Sequence, residues 1–113
     1  MIKADERELL HQYILLDMAI RSLQQDYSAL ENLKISKVFF PFVDDLLKNL
    51  RNDFYNKKRL LGQKKIRVVK WVKISEYLSE VTIATNGEDV VLQYAKQALK
   101  TQVEQLLVSN MNK

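Results

Sequence analysis

Ile66-Arg-Val-Val-Lys-Trp-Val-Lys-Ile74 decides between two architectures for this chain. Its β-branched and aromatic residues suit a strand. As a strand it makes the protein α+β. As irregular chain, together with the residues up to 85, it leaves an all-α bundle, the alternative. Regular alternation places Ile66, Val68, Lys70, Val72 and Ile74 on one face, and Arg67, Val69, Trp71 and Lys73 on the other. The first face is the expected core face, despite Lys70. Val81-Thr-Ile-Ala-Thr85 reads as a second, shorter strand. Residues 75–80 fit a strand continuation, a turn or one helical turn. Two strands alone make a marginal sheet, so these must lie on helices or pair with another chain.

Upstream, Leu9, Tyr13, Leu16, Ile20, Leu23, Tyr27 and Leu30 recur at alternating steps of four and three. This heptad seam predicts a helix over 4–31, with Leu10, Ile14 and Met18 widening one flank. The seam suits a coiled coil or a helix packed within its own chain. The link from Asn32 to Phe40 breaks the pattern. Pro41 then fits a first helical position, Asp44 and Asp45 a first turn, and Lys57, Lys58 and Arg59 a last turn before Gly62 as the stop. A second helix over 41–61 follows, antiparallel to the first across a short connection.

Downstream, Asn86-Gly87 has the composition of a hairpin turn. Thr85 and Glu88, however, match a capping box, and Leu92, Ala95, Leu99, Val103 and Leu106 recur at helical spacing. The expectation is therefore a helix over 87–109, with 109–113 frayed. The expected fold is a helix–helix hairpin, a short two-stranded antiparallel sheet and a C-terminal helix. It forms one domain over 1–113, made of the hairpin (4–61) and the strand pair with its helix (66–109). The core candidates are Leu9, Tyr13, Leu16, Ile20, Leu23, Leu46, Leu50, Phe54, Val68, Val72, Ile83, Leu92, Leu99 and Leu106.

The 113 residues carry a formal net charge of +4, unevenly placed. Residues 48–73 hold ten bases and one acid, while both flanks are net acidic. Lys57, Lys58, Arg59, Lys64, Lys65, Arg67, Lys70 and Lys73, with Trp71 beside them, form a candidate anion or nucleic-acid patch. The same bases could instead pair with the acidic flanks.

Catalytic signatures are sparse. With no cysteine, the chain has no disulfide, thiolate metal site or cysteine nucleophile. The two glycines stand alone, so no phosphate-cradling loop is present. The single histidine, His11, follows Glu8 at helical spacing and is expected at the surface. We expect no enzyme activity, cofactor or metal, and no membrane span or signal segment, which points to the cytoplasm. The expected function is a small interaction or adaptor protein that self-associates and docks a macromolecular partner. Tyr13, Leu16, Ile20, Leu23 and Tyr27 are the candidate oligomer or partner face. The alternative is nucleic-acid binding through 57–73. The expected partners are a second copy of the chain and an acidic protein or nucleic acid.

Overall fold

The computed structural model describes residues 2–30 and 36–111. The elements are α1 (Ala4–Leu30), α2 (Ser36–Gln63), β1 (Arg67–Lys73), β2 (Leu78–Ala84), β3 (Asp89–Ala95) and α3 (Lys96–Met111). The protein is α+β, as expected. The sheet has three strands rather than two, in the order β1-β2-β3 and antiparallel throughout.

α1 and α2 pack as an antiparallel hairpin. Tyr13 stacks on Phe54 with centroids 4.9 Å apart, and Tyr27 stacks on Phe40 at 4.4 Å. Position thus rises along α1 as it falls along α2. The second helix begins five residues earlier than expected, with Pro41 inside it rather than at its first position. At the sixth residue of α2, Pro41 supplies no backbone donor to the ladder, and its ring crowds the carbonyl four residues before. Asp44 and Asp45 consequently lie beyond the first turn, which holds no acid, and the last turn holds no base. The seam position Leu30 and the first residues of the predicted link fall partly or wholly outside the described side chains, as does the end of the tail at 112–113.

The stop at Gly62 is also displaced. Lys65 adopts φ 58° and ends α2 in its place. Ile66 N–H donates to Leu61 O at 2.9 Å, and Lys65 N–H donates to Gly62 O at 3.1 Å. These are the two bonds of a Schellman motif with Lys65 in the left-handed position. Leu61 and Ile66, the flanking pair, are both buried in one apolar cluster. A side chain bearing Cβ pays roughly 1–2 kcal/mol for this conformation. Lys65→Gly removes that strain but gives up roughly 0.4–1 kcal/mol through the freer unfolded chain. The variant is expected to be more stable by about 0.8 kcal/mol in urea denaturation, the difference between the midpoints of those two ranges. A midpoint at or below wild type would refute the strain.

The capping box over Thr85–Glu88 does not form. The Thr85 hydroxyl and backbone N–H both donate to the Glu88 carbonyl, closing a hairpin across Asn86-Gly87. Gly87 takes φ 116°, which glycine adopts without a steric penalty. The expected helix therefore starts at Lys96, nine residues late, and its predicted first part is β3. Val90, Leu92 and Tyr94 pack inward against the hairpin, which a period of two allows.

Pairing of β1 with β2 shifts register between Val68 and Lys70, leaving Val69 as an extra residue. This bulge reverses the alternation after it. Val68 lies opposite Ile83, and Trp71 opposite Val81, so both share the covered face. Lys70 and Val72 lie opposite Thr82 and Glu80 on the other face. Val72 is thus not a core residue, being 40% exposed.

Two clusters hold the protein together. In the first, Leu10 and Ile14 of α1 and Leu61 and Ile66 meet Val81, Ile83 and Leu92 of the sheet. In the second, Leu16 and Ala19 of α1 meet Leu46 and Leu50 of α2 and Val103 of α3. The flank residues Leu10 and Ile14 are the α1 members buried in the first cluster, and the seam residues Leu9 and Tyr13 pack against it. Helices cover one face of the sheet, and the other is open.

Candidate functional site

The five seam residues expected to form an oligomer face find packing partners within the chain. Tyr13 and Tyr27 stack on α2, Leu16 is buried in the second cluster, and Ile20 and Leu23 pack against it. α2 occupies the side of α1 on which the seam lies.

The basic residues fall into three groups. Lys57, Lys58 and Arg59 occupy the later turns of α2, Lys64 and Lys65 the turn, and Arg67, Lys70 and Lys73 the strand β1. All but the half-buried Lys57 are exposed. Among the described residues, no carboxylate lies within ion-pair distance of any of them; Arg21 and Asp17 form an ion pair at 3.2 Å elsewhere, within α1. The bulge changes which of them act together. Arg67 pairs with Ala84 and Lys70 with Thr82, so both point to the open face. Trp71 and Lys73 point to the covered face, and Trp71 lies at the end of a groove. Trp71 is 38% exposed, and its ring centroid is 5.8 Å from that of Tyr94.

That groove, of about 700 Å³, runs between α1 and α3. Met18, Leu99, Val103 and Leu107 give it an apolar floor, and Trp71 closes it on the sheet side. Arg21, Lys96, Lys100, Asp17, Asp26 and Glu104 mix both signs of charge around it.

His11 departs from expectation. It is half-buried where α1, β3 and α3 meet. Nε2 lies 2.6 Å from Gln102 Oε1, and Nδ1 lies 3.4 Å from the Tyr94 hydroxyl. With the proton on Nε2, the ring donates to Gln102 and accepts from Tyr94. The His11 and Tyr94 rings are parallel, with centroids 5.7 Å apart. Burial raises the Tyr94 phenol above its ordinary range, with Arg7 opposing and Glu8 reinforcing the shift. The partners of His11 lie 83 and 91 residues away, so no local spacing could mark them. Among the described residues, no group of three or more His, Cys, Asp or Glu could hold a metal ion.

The open sheet face carries Val72, Leu78 and Val91, all exposed, beside Lys70, Thr82, Glu80 and Gln93. Glu80 accepts a bond from Gln93 at 3.4 Å. Among the described residues, no helix is long and apolar enough to cross a membrane.

No curated protein and no solved structure matches the chain. A family profile described as YhjD protein matches residues 1–113, the whole length given. An α+β chain with a bulged, half-covered sheet and a basic turn between helix and strand thus belongs to the YhjD protein family.

Proposed function

We propose that this protein is a non-catalytic interaction protein that self-associates and docks a macromolecular partner. One observation carries the proposal. The chain exposes 7907 Å², whereas a compact monomer of 13.3 kDa exposes roughly 6,450 Å². Its radius of gyration is 15.8 Å, against about 13 Å for a compact chain of this length. The surplus is roughly 1,450 Å², and one side of a standard interface needs about 800 Å². The sheet face bearing the exposed Val72, Leu78 and Val91 offers apolar surface for such an interface. The groove between α1 and α3, with its apolar floor and charged rim, suits the partner. Light scattering coupled to size-exclusion chromatography is the test. A mass of two or more chains is expected, and one chain at every accessible concentration rejects self-association.

A second reading, nucleic-acid binding through 57–73, is favoured by the absence of ion-paired acids from those bases among the described residues. Such binding weakens linearly in log salt, by nearly one power per phosphate neutralised. Lys64, Lys65 and Arg67 changed together to Glu would reduce that slope by about three. An oligonucleotide affinity unchanged in the triple variant rejects this reading.

A further inference from the structure

We infer that the outer edge of β3 is where a second copy of this chain pairs, extending the sheet across a two-fold axis. The inference rests on the self-association reading and assigns it a location. The two edges of the sheet differ in kind. β1 carries Arg67, Lys70 and Lys73 and a bulge at Val69, the devices that keep an edge from pairing. β3 reads Asp89-Val-Val-Leu-Gln-Tyr-Ala95, with no lysine, proline or bulge.

The backbone of β3 is also free to pair. Thr85 N–H bonds to Glu88 O, so residues 85 and 88 form a hydrogen-bonded pair. Alternation along an antiparallel ladder then turns residues 90, 92 and 94 toward β2. The N–H and C=O groups of Asp89, Val91 and Gln93 point to the outer edge. Among the described residues, no hydrogen bond reaches them from another element. A cleft of about 280 Å³ runs there, between Leu92, Gln93 and Tyr94 and the first turns of α1 at Arg7 and Glu8.

The occupant is a second copy because β3 is complementary to itself. A two-fold axis through Leu92 sets Val91 opposite Gln93 of the second copy, and Asp89 opposite its Ala95. Val90 meets Tyr94 in the same way, and no like charges oppose one another along the strand. The surplus surface exceeds what each side of a stable dimer must bury.

Size-exclusion light scattering of wild type and Val91→Pro tests this. Among the described residues the Val91 N–H has no partner, so proline there removes a donor to the second copy without removing a bond within the described structure. Wild type is expected to run as a dimer and Val91→Pro as a folded monomer, with unchanged far-UV circular dichroism. A second variant covers a proline that unfolds the chain. With no native cysteine, Val91→Cys/Gln93→Cys is expected to oxidise to a covalent dimer, since such paired positions lie about 5.5 Å apart, within disulfide reach. A dimeric wild type, with Val91→Pro folded and still dimeric or the double variant failing to cross-link, overturns the β3 edge and leaves self-association standing. A monomeric wild type overturns both.

Discussion

Leu50→Ala is expected to lower the free energy of unfolding by about 3–5 kcal/mol. Leu50 is fully buried, in a cluster shared by α1, α2 and α3. Truncation loses the transfer free energy of the removed carbons and leaves a hole that its neighbours must close. Leu16, Leu46 and Val103 converge there from three helices, so collapse of any one is limited by the others. A domain of this size has about 5–15 kcal/mol of total stability. The variant should therefore unfold at much lower urea concentration, with an unchanged slope against denaturant. A loss under 1 kcal/mol would mean that α3 does not close this cluster.

Val81→Asp is expected to leave the protein unfolded, or nearly so, at neutral pH. Val81 is fully buried in the central strand, among Leu10, Ile14, Ile83 and Leu92. A carboxylate placed there has no cationic partner in its cluster, and an unpaired buried charge costs several kcal/mol. The pH dependence has a definite sign. Burial favours the neutral carboxyl, raising its value in the folded state above about 3.9 in the unfolded chain. The protonated side chain is thus best tolerated below about pH 4, and stability falls as pH rises through the folded value. The variant should regain helical circular dichroism on acidification toward pH 4, and Val81→Ala should show no such recovery. A Val81→Asp protein equally stable at pH 4 and pH 7 would show that position 81 reaches water.

Some of this architecture is legible one segment at a time. The spacing of Leu9 through Tyr27 reports a helix whichever surface it meets, because a 3.6-residue period depends on near neighbours alone. The β-branched run from Ile66 likewise reports a strand. Residues 89–95 are different, because they satisfy two periods. Leu92, Ala95 and Leu99 recur as on a helix, while Val90, Leu92 and Tyr94 alternate as on a strand. The available edge of β2, seven residues long, settles the choice by supplying backbone partners that no local pattern records. The bulge at Val69 is equally non-local. It lets Trp71 reach the covered face beside Tyr94 while Arg67 and Lys70 share the open one.

The candidate surfaces divide in the same way. The basic residues and their clustering are visible in the order of amino acids, since charge is a property of each residue. Their grouping by face is not, because a single inserted residue inverts it. His11 is visible as the chain's one histidine, but Gln102 and Tyr94 reach it only through the packing of α3 and β3 on α1.

By itself, then, the order of residues determined the helical hairpin, the existence of a strand-forming middle and the charge asymmetry around it, all set by short-range periodicity and composition. Tertiary structure alone decided the third strand, the facing of β1, the left-handed Lys65 at the end of α2 and the covering of the α1 seam by α2. Each of those depends on a partner distant in sequence or on a backbone conformation that residue type only weakly favours.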